Sequence, residues 1–118
     1  MRKIAIVVLG IFLLGLLVSA DEPMVTWKSK DLQLNENARV GTTVLPAGKY
    51  RVTHEMEGAQ HIMVLTLQTR AKTSFRLPCT LQPLAVKARG DEQHFRTEGK
   101  EHVLTALIFG GDRVVHSF

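Results

Sequence analysis

Two His-x-Met triplets stand seven residues apart, His54-Glu55-Met56 and His61-Ile62-Met63. Imidazole nitrogen and thioether sulfur are donors suited to copper, Cu(I) above all. If the triplets lie on neighbouring antiparallel strands joined by a two-residue loop at Glu57-Gly58, His54 falls opposite His61 and Val52 opposite Met63. Both imidazoles and both thioethers then emerge on one face, and a copper site formed by His54, Met56, His61 and Met63 is one reading. The other is structural: cross-strand histidines sit at the margin of a core, bonded to backbone or water, and Met63 within Ile62 to Leu65 is ordinary packing.

Cys79 is the only cysteine, so no internal disulfide can form. It reads first as a small buried hydrophobe. A crosslink between chains or a reactive thiol is the alternative for an unpaired cysteine in an exported protein. Nucleophilic chemistry needs a base within hydrogen-bond reach and a group to orient it, and any of five histidines could be offered for that role. The sequence has no Gly-x-Ser-x-Gly elbow, no Cys-x-x-Cys pair and no His-Glu-x-x-His zinc helix. Asp91-Glu92 falls in a predicted turn, where solvated acids are ordinary. No enzyme is expected, and copper is the only cofactor the residues suggest.

Trp27 and Phe95 are candidates for surface contact, because rings exposed on a β-sandwich stack on sugars or anchor a protein partner. With few aromatics in the chain, the competing use is the core. Arg89-Gly90-Asp91 spells an adhesion tripeptide and reads as a turn. Gly110-Gly111 precedes a strand and not a helix whose N-terminus could receive a phosphate.

The elements that must carry these residues are strands. After residue 20 nothing keeps the helical period for long. Short runs rich in Val, Thr, Leu and Phe recur between Gly, Pro and Asp, as in an antiparallel sandwich or barrel. Val25 to Lys28 and the stretch through Leu32 and Leu34 are predicted strands, with Asn35-Glu36-Asn37 as a turn. Arg39 to Leu45 and Lys49 to Met56 are predicted to form a hairpin about Pro46-Ala47-Gly48. Tyr50 to Met56 and Ala59 to Leu67 form a second hairpin, with Tyr50, Val52, His54 and Met56 on its inward face. Thr69 to Leu77 is a further strand, with Arg70 and Lys72 on one side. Pro78 and Pro83 confine the next piece to an edge or an irregular crossing. Ala85 to Ala88 and Gln93 to Thr97 are short strands, and Val103 to Phe109 with Arg113 to Phe118 make a terminal hairpin about Gly110-Gly111-Asp112. Its last strand is expected to be paired and buried.

Residues 1–20 have the three zones of an export signal: basic Arg2 and Lys3, an apolar run from Ile4 to Val18, and Val18-Ser19-Ala20 before the cut. The run is broken by Gly10 and Gly15 and falls short of the roughly twenty residues a spanning helix needs. Cleavage after Ala20 is expected, leaving 21–118 as a single all-β domain. An uncut anchor is the alternative. Arg2 and Lys3 leave with the leader, so thirteen Lys and Arg face eleven Asp and Glu, a net charge of +2. That balance gives no reason to expect a nucleic-acid partner.

The stretch Val40-Gly41-Thr42-Thr43-Val44-Leu45-Pro46-Ala47-Gly48-Lys49-Tyr50-Arg51-Val52, with the closing Leu104-Thr105-Ala106-Leu107-Ile108-Phe109-Gly110-Gly111, resembles a group of small exported bacterial β-proteins of unassigned function. They share a Leu-Pro-Ala-Gly-x-Tyr hairpin and a C-terminal Gly-Gly hairpin. The resemblance implies a common β fold and transfers no catalytic residue. Members of the group carry a plain strand without cysteine where this chain has Cys79.

The expectation is an antiparallel β-sandwich or partly open β-barrel of about seven or eight strands, periplasmic or extracellular. Its leading role is a non-enzymatic envelope module that presents a face or edge to a partner. The alternative is an envelope copper-binding protein built on the His-x-Met pair.

Overall fold

The computed structural model describes residues 25–118, all of them in strands, turns and loops. The expected leader, 1–20, lies outside them. Nine strands make one open sheet, mixed only through a single parallel pairing. β1 (Lys30–Leu34) pairs with β4 (Gly48–Glu57), β4 with β5 (Gln60–Leu67), and β5 with β6 (Ser74–Pro83), all antiparallel. β6 then crosses into the other half. Its residues Ser74 to Cys79 pair with β5, while Thr80 to Pro83 pair with β9 (Val114–Ser117). β9 continues to β8 (Glu101–Ile108), which also pairs with β7 (Glu92–Glu98) and, in parallel, with β2 (Ala38–Val40). β2 turns back as a hairpin with β3 (Thr43–Leu45).

The sheet does not close into a barrel. It brings its two halves over one apolar core, in which Leu32, Leu34, Tyr50, Val52, Met63, Leu65 and Leu77 of the first half meet Ala38, Leu45, Leu104, Leu107 and Phe109 of the second. Alternation produces this: Leu77 and Cys79 face in from β6, while Arg76, Pro78 and Thr80 face out. Each fully buried leucine contributes about 2 kcal/mol of transfer free energy. β7 stands outside this scheme, with every residue exposed. Among the described residues, no helix is long and apolar enough to cross a membrane.

Several predicted elements are corrected. Pro46-Ala47-Gly48 is not a hairpin turn. β3 pairs with β2, and β4 pairs with β1 and β5, so the turn is a corner carrying the chain from one half to the other. Asn37 Oδ1 accepts the Ala47 N–H at 2.8 Å, and the Tyr50 hydroxyl donates to the Pro46 carbonyl. Gly48 has φ +146°, and a Cβ there would lie 3.0 Å from Leu67 Cδ1. The run Arg39 to Leu45 is broken at Gly41, φ +60°, into two strands of the β2–β3 hairpin.

Val25 to Lys28 is not a strand, and neither is Ala85 to Ala88. The latter runs beside the 109–113 loop, joined to it by Ala88 N–H to Asp112 O and Gly111 N–H to Ala88 O. The strand placed at Thr69 begins at Ser74, because 69–73 forms the turn in which Lys72 takes φ 52°. Pro78 is tolerated because, among the described residues, its stretch of β6 is paired with β5 alone, leaving the edge that a residue without N–H requires. The terminal hairpin is present, with Ala106 opposite Ser117 and Leu107 opposite His116. Half-buried Phe118 packs on the core and donates its N–H to Thr105 O.

Candidate metal centre

The β4–β5 turn sits one residue later than expected, at Gly58-Ala59, with Glu57 opposite Gln60. The register therefore pairs His54 with Met63 and Met56 with His61. A slip of two residues preserves the face, so the four donors still point the same way. They do not converge. Met63 is fully buried in the core, His54 is half-buried, and Met56 is 60% exposed, overturning the inward assignment of that side chain.

His61 meets a different pair of donors. Cys79 of β6 is its direct partner across the β5–β6 ladder. Two residues further along β6, Leu81 lies opposite His116 of β9. Because i and i+2 share a face, the crossing strand carries Cys79 diagonally beside His116. One ring nitrogen from each histidine and Cys79 Sγ all lie within 4.8 Å of one another. Cys79 Sγ is 3.9 Å from His116 Nδ1. His61 is 6% exposed, Cys79 4% and His116 0%.

Aromatic rings and one carboxylate enclose the trio. The His54 ring stacks on His61 with centroids 5.4 Å apart, and His54 Nε2 donates to the Trp27 carbonyl at 2.7 Å. Trp27 stands edge-on to His54, Phe109 and His116. Its indole N–H donates to Asp112 Oδ2 at 2.7 Å. The same oxygen lies 3.9 Å from His116 Nε2, too far for a hydrogen bond. Among the described residues, neither His61 Nε2 nor His116 Nε2 has a hydrogen-bond partner, although both are buried. An orphaned buried polar group costs about 1–3 kcal/mol, so two in one place are unusual.

Burial pushes the Cys79 thiol up to about 11. It also draws His116 down to about 4, helped by the neighbouring His61 and His54, and lowers His61 with a contribution from His54. At neutral pH the trio is thus two neutral imidazoles and a protonated thiol. The thiol can donate only to an unprotonated Nδ1 of His116, which leaves that ring's proton on Nε2, toward Asp112. A shift of about 1 Å would bring that N–H into hydrogen-bond reach of the carboxylate, the arrangement that orients metal-ligating histidines. Metal–nitrogen and metal–sulfur bonds of roughly 2.0 and 2.3 Å place ligands about 3.3–3.8 Å apart. The trio needs a closure of about 1 Å to reach that spacing, and a His2Cys set suits copper or zinc.

Of the residues singled out in the sequence, His61 belongs to the site, His54 buttresses it, and Met56 stands over the cleft that leads to it. Met63 is packing. Trp27 is a wall of the site, while Phe95 is 43% exposed on β7 and rests on His102. The two rings have different neighbours and make no joint platform. Cys79 as a ligand, His116 and Asp112 were missed. The available signal was the inward alternation of Leu77-x-Cys79 and Val114-x-His116.

The chain matches no protein-family model, no curated protein and no solved structure.

Proposed function

We propose that this domain binds a transition-metal ion of the copper or zinc class at His61, Cys79 and His116, with the Asp112 carboxylate 3.9 Å behind His116 Nε2. One observation carries the reading: three buried donors on three strands lie within 4.8 Å of one another, and His61 Nε2 has no hydrogen-bond partner among the described residues. Buried polar donors are costly here, because an apolar side chain at any of the three would fill the space without leaving a polar atom unpaired. The basic, apolar and small zones of residues 1–20 support an exported location, where copper is met and a lone thiol is exposed to oxidants. The test is titration of purified protein with copper and zinc, followed by absorption of the metal–thiolate bond and by thermal stability. Binding lost in both His61→Ala and Cys79→Ser supports the reading, and no binding at micromolar metal removes it.

A second reading, recognition of a partner by an exposed edge, is favoured by β7. All seven of its residues are solvent-exposed, and among the described residues only β8 pairs with it. Replacing Phe95 with Ser would weaken such a contact without touching the metal titration.

A further inference from the structure

We infer that the ion is Cu(I) and that Met56 captures it at the surface and passes it to the buried trio, an inference that rests on the metal-binding reading above. Met56 lies directly across the β4–β5 ladder from His61, so both side chains leave the same face. Along β4 that face is core at Tyr50 and Val52, half-buried at His54 and open at Met56. The strand runs out beyond the apolar layer, and a cleft of about 330 Å³ opens there, lined by Met56, Gln60, His61, Cys79 and Leu81 among others. His61 and Cys79 form its floor.

The chemistry of the lining selects the ion. Among the described residues, the cleft is lined by no carboxylate, lysine or arginine. The acids next to Met56 in sequence, Glu55 and Glu57, are both engaged by Arg76 on the opposite face. A hard, hydrated divalent ion therefore finds no oxygen anion to exchange for its water, whereas a soft monovalent ion finds a thioether. Gln60 fixes the floor, its side-chain amide donating to the Cys79 carbonyl at 2.9 Å and to the His61 carbonyl at 3.2 Å.

Transfer inward conserves charge. As Cu(I) moves from the Met56 sulfur to Cys79, the Cu–thioether bond breaks, a Cu–thiolate bond forms, and the thiol proton leaves to solvent. One positive charge enters as one departs, so the net charge of the pocket is unchanged. A divalent ion making the same exchange would add a positive charge to the interior, where the Asp112 Oδ2 beside His116 already holds the Trp27 N–H.

Anaerobic stopped-flow delivery of Cu(I) from its bicinchoninate complex, with zinc delivered in parallel from a chromophoric chelator, tests the assignment. Met56→Leu keeps the shape of an exposed side chain and removes the sulfur. It should slow Cu(I) uptake by about tenfold, the rate change that about 1.4 kcal/mol lost from the capture step produces. Equilibrium Cu(I) affinity, set by the buried trio, and zinc uptake should stay within about threefold of the unmodified protein. Cu(I) uptake by Met56→Leu at the unmodified rate overturns the capture role, provided His61→Ala abolishes binding, and leaves the metal site standing. Binding of zinc without Cu(I) overturns the choice of ion alone. Binding of neither metal removes the site and the inference together.

Discussion

Cys79 Sγ and His116 Nδ1 lie 3.9 Å apart, although 37 positions separate them in the chain. The contact exists because β6 serves both halves of the sheet, meeting His61 through Cys79 and His116 through Leu81. With its thiol pushed up to about 11, Cys79 is only about one part in ten thousand thiolate at pH 7. Alkylation by iodoacetamide at neutral pH should be at least roughly a hundredfold slower in the folded protein than in denaturant. Rapid native alkylation, followed by mass spectrometry, would show a thiol unlike the buried one described here.

The same burial makes the domain sensitive to mild acid. His116 titrates near 4 when folded and near 6.5 when unfolded, and His61 is shifted in the same direction. Below about pH 6.5 the unfolded chain takes up protons that the folded one refuses. The contribution of these two imidazoles is therefore complete above that pH and is lost as pH falls, that of His116 levelling off below about 4. The loss from His116 alone is about 3 kcal/mol. Urea midpoints measured from pH 7.5 to 4 should fall over this window, and a flat profile would contradict the neutral, buried imidazoles.

Asp112 and Trp27 offer a third measurement. Trp27 is the only tryptophan, its edge faces His116 at a centroid distance of 6.0 Å, and its N–H is held by Asp112. Metal at the trio should quench its emission. Asp112→Asn removes the charge that faces the Nε2–H of His116 and should weaken binding by about 10- to 100-fold if that N–H closes on it when metal binds. Trp27 quenching read against metal concentration checks both outcomes, and an Asn variant with unchanged affinity would leave Asp112 a purely structural acid.

The sequence makes parts of this arrangement legible and hides others, for physical reasons. Period-two alternation suffices to place Tyr50, Val52 and Met63 in the core, since each side of a strand has one environment. Gly58 marks a turn, yet a one-position error in the turn moved every cross-strand partner by two, and His61 was matched with His54 instead of Met56. Pro46-Ala47-Gly48 reverses the chain, and local residues carry no record of whether the flanking strands pair with each other or enter different halves. The trio was hidden for the same reason. Its members at 61, 79 and 116 become neighbours only through the crossing of β6, which rests on long-range packing, and Cys79 alone looks like any small apolar residue.

His116 also separates a functional group from a structural one. Its side chain is fully buried, its Nε2 has no hydrogen-bond partner among the described residues, and it gains no charge at neutral pH. Leucine at this position would fill much of the same space and remove the orphaned N–H, which costs about 1–3 kcal/mol when left unpaired. His116→Leu is therefore expected to raise the stability of the metal-free protein by about 1 kcal/mol, net of the imperfect fit. It should remove the His116 share of the acid sensitivity and abolish metal binding. Thermal or urea unfolding with and without metal measures all three effects on one variant. A stabilised variant that no longer responds to metal would identify His116 as a residue kept for its ligand at the expense of the fold. A variant destabilised by several kcal/mol would show instead that the imidazole is needed for packing, and the orphaned nitrogen would lose its standing as a mark of function.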